Sequence, residues 1–215
     1  MTGFAISTAV LIAGMLTGPA FASQTSSENS LLFRVLLDGK PIGEHRFELR
    51  SAGDTREVIS EAEFRVRFLF IDAYRYRHTA TERWQGDCLV SLDARTNDNG
   101  DIETVNASRS GDGLAVNATG NESWHGGCVR SFAYWNAAIL DATRLLNAQT
   151  GQYQPVSAGL LGEDRIAVNG SMETALRYRL TGENIDIDLW YTRDSEWVAL
   201  EFEIEPGRRL RYERI

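Results

Sequence analysis

Between Val58 and Phe70 the side chains alternate strictly. Val58, Ser60, Ala62, Phe64, Val66, Phe68 and Phe70 fall on one side, and Ile59, Glu61, Glu63, Arg65, Arg67 and Leu69 on the other. Only an extended strand sends every second residue to the same face, so this run dictates a strand with an aromatic inner face and a charged outer one. Residues 74–84 continue the pattern, with Tyr74, Tyr76 and Trp84 set against Arg75, Arg77 and Arg83. Turn chemistry then recurs at short intervals: Asp38-Gly39, Gly53-Asp54, Gly86-Asp87, Asn99-Gly100, Gly111-Asp112, Gly182-Glu183 and Pro206-Gly207. Asn-Gly and Asp-Gly pairs supply the positive φ of tight hairpins. Near the C-terminus, Val198, Leu200, Phe202 and Ile204 form another apolar face opposite Glu201 and Glu203.

One segment departs from period two. Phe132, Trp135, Ile139, Ala142 and Leu146 recur at intervals of three and four, with Ser131 placed as an N-cap and Gly151 as a stop. That spacing predicts an amphipathic helix over 131–146. Its stripe is expected to face Phe64, Val66 and Phe68 on one side and Val198, Leu200 and Phe202 on the other. The predicted fold is mainly β: a curved antiparallel sheet or barrel-like meander wrapping a single amphipathic helix.

The N-terminus bears on compartment. Met1 to Ala22 contains no charged side chain; a short apolar stretch is broken by Gly18-Pro19 and followed by Ala20-Phe21-Ala22. This is the pattern of a secretory signal cleaved before Ser23, although the expected Lys or Arg near the start is missing. The reading is a cleaved signal peptide over 1–22, then one β-rich domain over 23–215, exported to the periplasm, soluble and without a lipid anchor. No later segment approaches the roughly 20 apolar residues of a spanning helix. Two cysteines in an exported chain favour a Cys88–Cys128 disulfide, with two buried thiols as the alternative. The formal net charge of −8 argues against nucleic acid and anionic surfaces as partners.

Catalytic signals are sparse. His45, His78 and His125 have no metal-ligand spacing, no Gly-x-Ser-x-Gly elbow occurs, and no phosphate loop or cofactor motif is present. Asp186 and Asp188 share one strand face, read as the solvent side because Ile185, Ile187, Leu189 and Tyr191 oppose them. Asn106, Asn117, Asn121 and Asn169 begin Asn-x-Ser/Thr sequons, which Asn- and Ser-rich turns generate readily. The suggestive excess is aromatic. Phe64, Phe68, Tyr76, Trp84, Trp135 and Tyr191 are candidate linings for an apolar ligand cavity, or else fill the space beneath the helix.

The segments 37–43, 82–89, 96–100, 131–136 (Ser-Phe-Ala-Tyr-Trp-Asn), 147–151 and 189–191 together resemble a family of exported proteobacterial proteins, domain-of-unknown-function family 6134. The resemblance spans the mature chain and implies no activity. A looser similarity, to lipoprotein-carrier half-barrels, implies a curved sheet enclosing an apolar cavity. The functional expectation is a non-enzymatic periplasmic protein binding a hydrophobic small molecule, a lipid or another envelope protein. Alternatives are an enzyme using histidine and carboxylates at the cavity mouth, or a docking module. Convergence of His78 or His125 with a carboxylate in a cleft would favour the enzyme.

Overall fold

The computed structural model describes residues 26–68 and 71–215, without the side chains of Ser26, Phe68, Ile71 and Asp72. The expected signal segment and the Phe68 ring therefore lie outside the described residues. Strands form where alternation and turns place them, the expected run to Phe70 being described as far as Phe68: β1 (Ser26–Leu37), β2 (Lys40–Ala52), β3 (Thr55–Phe68), β4 (Ile71–Gln85), β5 (Cys88–Asp98), β6 (Asp101–Ser110), β7 (Gly113–Ala118) and β8 (Asn121–Gly126). After an irregular crossing come β9 (Arg144–Leu146), β10 (Tyr153–Val168), β11 (Ser171–Gly182), β12 (Ile185–Tyr191), β13 (Trp197–Glu205) and β14 (Arg208–Arg214). They make one 14-stranded sheet in the order β8-β7-β6-β5-β4-β3-β2-β1-β14-β13-β12-β11-β10-β9. Two antiparallel meanders are thus joined at a single seam, where Phe33 pairs with Arg214 and Val35 with Tyr212. The turns form as the sequence requires; Asp38 and Gly39 both take positive φ, as do Asn99 and Gly100.

The hydrogen-bonded sheet is open, but its two edges meet through side chains. The His125 ring of β8 lies 4.6 Å from the Tyr153 ring of β10. Gly151 sits so close to β7 that an added Cβ would lie 2.4 Å from the Ala118 Cβ. Only glycine permits that approach, since Gly151 also has a φ of +72°. The result is barrel-like.

Alternation holds across the inner face. Val58, Ser60, Ala62 and Phe64 are buried, as are Leu31, Phe33, Val35 and Leu37. The expected helix is absent. Residues 127–143 instead cross the barrel interior as an irregular plug with a single 3-10 turn, Ala137–Asp141. The cause is competition for the same groups. Ser131, the expected cap, donates its hydroxyl to Glu82 at 2.7 Å. Asn136 caps the short turn instead, accepting from the Ala138 N–H. Leu146 N–H donates to the Arg130 carbonyl and Phe132 N–H to the Leu146 carbonyl, which holds both ends extended. Burial along the plug accordingly alternates: Ser131, Ala133 and Trp135 are buried, while Phe132 and Tyr134 are half-buried and face the other way. Most of the stripe still reaches the core, through Trp135, Ile139, Ala142 and Leu146. Trp135 meets Trp84 edge to face with centroids 5.3 Å apart.

Two expected packing partners sit elsewhere. Phe64 belongs to a separate inward cluster with Val35 and Ala62. Val198 packs with Ile166, Val168, Ala175, Trp190 and Ala199 in another cluster, because a register shift between Trp190 and Tyr191 moves it off the face shared by Leu189 and Leu200. Asp188, expected at the solvent, is buried and paired with Arg177 and Arg179; Asp186 is exposed.

Cys88 and Cys128 form the expected disulfide, with sulfurs 2.03 Å apart. It ties the start of the plug to β5, beside a hydrogen bond from Leu89 N–H to the Val129 carbonyl. Among the described residues no helix is long and apolar enough to cross a membrane.

Candidate functional site

The register of β1 to β5 places polar groups on the inner face. One cross-strand row runs Phe33, His45, Ala62, His78, Thr96. The next runs Val35, Gly43, Phe64, Tyr76, and Tyr212 of β14 flanks Val35. The His45 Nε2 lies 2.7 Å from the Ser60 Oγ, and its Nδ1 lies 3.4 Å from the Tyr212 hydroxyl. The His78 Nδ1 lies 2.9 Å from the Thr96 Oγ1. Tyr76 donates to Gln149 at 3.0 Å, and Tyr191 donates to the Tyr134 carbonyl at 2.8 Å.

Aromatic rings join these groups. Tyr76 stacks on Phe64 at 5.2 Å, Phe64 meets Tyr212 at 6.2 Å, and Tyr212 lies 5.7 Å from His45. His45 stacks on Phe47 at 4.1 Å. Trp197 completes the circuit, 5.5 Å from both Phe47 and Tyr134. The phenols of Tyr76, Tyr134 and Tyr212 are close enough to affect one another's ionisation. Burial raises all three above the ordinary tyrosine range, with neighbouring phenols adding to the effect at Tyr76 and Tyr212. Desolvation lowers His45 to about 3, helped by the nearby His78. Burial lowers His78 to about 4. Both imidazoles are therefore neutral at pH 7.

The sequence-derived candidates divide. Phe64 and Tyr76 belong to this aromatic circuit. Trp135 of the plug pairs with Trp84 of β4 in a filled part of the core, where Tyr191 is also fully buried. Ser60, Tyr134 and Tyr212 are not candidates in the sequence reading, and His45 enters it only as a histidine without metal-ligand spacing, not as part of the lining. The signal that finds His45 is its place two residues before Phe47, on an inward register. Tyr134 and Tyr212 carry no comparable mark, since the plug conformation and the β1–β14 seam are not local features.

Within the circuit, Tyr76, Tyr134, Tyr212 and His45 are only half-buried, although they face inward. Among the described residues the Tyr134 hydroxyl has no protein partner. On the other side of the plug, an open depression of about 860 Å³ runs beside Phe132, Tyr134, Ile185, Ile187 and Phe202. Asp186, Asp188, Glu201 and Arg179 stand around it. The aromatic circuit offers apolar surface with neutral hydrogen-bonding groups, whereas the depression is rimmed by charge.

A family profile described as a domain of unknown function, DUF6134, matches residues 33–215. The chain belongs to the DUF6134 family. A crystal structure described as a beta-barrel-like protein of domain of unknown function DUF1849, from Brucella abortus, is similar with a TM-score of 0.63. The match covers 90% of this DUF6134 chain and 98% of the other at 9% identity, which establishes a shared fold and nothing finer. No curated protein matches the DUF6134 chain.

In the DUF6134 chain His78 meets Thr96 at 2.9 Å and His125 meets Ser123 at 3.2 Å; among the described residues neither meets a carboxylate. His45 and Ser60 have the separation of a base and a nucleophile, but the second nitrogen of His45 faces a phenol. A base whose pKa is about 3 accepts a proton poorly at neutral pH. Among the described residues no group of three or more His, Cys, Asp or Glu could hold a metal.

Proposed function

We propose that this protein is exported to the periplasm and binds a hydrophobic small molecule or lipid carrying an uncharged polar group. The apolar body would lie along Phe64, Tyr76, Tyr212 and Phe47, and the polar group would meet the Tyr134 hydroxyl. The supporting observation is that single phenol: it faces inward, is half-buried and lacks a protein partner. A solvent-reachable hydroxyl without a protein partner is open to a partner that a ligand supplies. The neutral imidazoles of the circuit, His45 beside Tyr212 and His78 near Tyr76, favour an uncharged ligand over a carboxylate or phosphate. Phe68, whose side chain lies outside the described residues, remains a proposed member of the lining with Phe64. Trp84, Trp135 and Tyr191 would act as its floor and support rather than as contacts.

The test is titration with an environment-sensitive apolar dye, N-phenyl-1-naphthylamine, followed by displacement with a neutral monoacylglycerol. Enhanced emission is expected, reversed by the lipid and weakened several-fold in Tyr76→Ala and Tyr134→Ala. Failure of the wild-type protein to bind either probe would sink the proposal. So would unchanged affinity in both variants.

A further inference from the structure

The outer face of β4 to β8 carries a second surface, built on a different pattern. One row perpendicular to the strands runs Arg83, Ser91, Ser108, Ala115, Trp124. The adjacent row runs Thr81, Asp93, Asn106, Asn117, Glu122. Together they line a shallow trough of about 870 Å³. With neighbouring strands roughly 4.8 Å apart, five strands give the rows a length of about 19 Å. That suits a chain of several small rings better than a single one.

Trp124 is the feature that gives this face a direction. It is 53% exposed, whereas Trp84, Trp135, Trp190 and Trp197 are buried. Its ring lies across the backbone between two glycines that pair with each other, Gly113 and Gly126. A Cβ built at Gly113 would come within 2.7 Å of the indole ring, and one at Gly126 within 3.1 Å. The Nε1–H donates to the Ser110 carbonyl at 3.1 Å. The ring is thus fixed by its edge and by one face, and presents the other face to solvent. Along the trough, among the described residues, the side chains of Ser91, Asp93, Asn106 and Ser108 have no protein partner. Asn117 gives one oxygen to the Gly120 N–H and keeps its amide N–H donors free.

We propose that this face binds a neutral saccharide chain, with Trp124 as its stacking platform. The polarised C–H bonds on one side of a pyranose match the electron-rich face of an indole. Serine hydroxyls, asparagine amides and a carboxylate match the donors and acceptors of sugar hydroxyls. An extended chain of several rings fits the length of a cross-strand row. Asp93 and Glu122 lie within the trough, and Arg83 is already paired with Glu57 at 3.1 Å. Anionic glycans and phosphates are therefore disfavoured. The surface is independent of the inward aromatic site, because the two occupy opposite faces of the sheet.

The test is calorimetric titration with cellotetraose and chitotetraose, alongside quenching of tryptophan emission by acrylamide, which reports mainly on the exposed Trp124. Binding of at least one tetrasaccharide is expected, with protection from the quencher. Trp124→Ala should weaken that binding about two- to tenfold, the size of one stacking contact, and leave N-phenyl-1-naphthylamine binding unchanged. Asn106→Ala, an exposed change that keeps the platform, should weaken it less. Absence of binding to both tetrasaccharides would overturn the proposal, as would equal affinity in the wild type and both variants.

Discussion

Glu82 is the most exposed to test of the single residues in this protein, because its environment opposes its charge. Its carboxylate is buried, accepting from the Trp84 Nε1–H at 3.0 Å and from the Ser131 hydroxyl at 2.7 Å. Burial raises its pKa above the ordinary 4.5, and the two hydrogen bonds offset this only in part. A carboxylate whose folded pKa is raised costs nothing below its unfolded pKa. It withdraws stability as pH rises through the folded value. The thermal midpoint of Glu82→Gln should therefore gain on wild type from about pH 4.5 upward, and the difference should be flat below that. Scanning calorimetry from pH 4 to 8 checks this; a difference that shrinks with rising pH would contradict it. Glu82→Leu, which strands both donors, should cost about 1–3 kcal/mol. The sequence carries a mark of this site. Glu82 falls on the same alternating face as Tyr74, Tyr76, His78 and Trp84, a lone carboxylate among inward residues. What it lacks is any sign of the partner, since Ser131 arrives from a segment 49 residues away.

The plug shows where element-scale reasoning stops. Spacings of three and four identified which of its residues reach the core, and Trp135, Ile139, Ala142 and Leu146 do so. They did not fix the backbone, because an irregular chain threaded through a barrel can bury residues at the same intervals. Tertiary bonds at Ser131, Arg130 and Leu146 outweigh a helical preference weakened by Phe132, Tyr134, Trp135 and Asn136. The strands were legible for the opposite reason: period two and the hairpin turns are both local, and their pairing is almost entirely between neighbours. The Cys88–Cys128 link, spanning 40 residues, contributes about 4 kcal/mol in the chain-entropy account and pins one end of the plug. Trp135 sits within the filled region against Trp84, with the Arg56 guanidinium 4.9 Å from its ring. Trp135→Ala should thus lose about 3–5 kcal/mol in urea unfolding through transfer and cavity terms, without loss of affinity for the apolar dye. A loss below about 1 kcal/mol would place the plug outside the cooperative core.

At the scale of the whole molecule, the family match begins at residue 33, beyond the segment read as a signal. If that segment is removed on export as proposed, N-terminal sequencing of protein recovered from a periplasmic fraction should begin at Ser23. Recovery from the cytoplasm with Met1 intact would contradict export. The formal charge of −8 belongs entirely to the part after Ala22, so cleavage leaves the domain acidic, as suits a protein kept from anionic lipid surfaces.

The seam between β1 and β14 has a consequence in time. Among the described residues, every pairing in the sheet other than this seam joins strands made one directly after the other. β1 alone must wait for a partner about 180 residues downstream, since Phe33 pairs with Arg214. As the chain is synthesised or threaded through a translocation pore, each meander can zip as it emerges, yet the edge of β1 stays open throughout. For that interval the nascent protein offers the free edge of a strand already paired with β2, carrying alternating Leu31, Phe33, Val35 and Leu37, to whatever stands nearby. The fold is one whose first strand is secured last, and its hazard in crowded surroundings is greatest just before the work of making it is done.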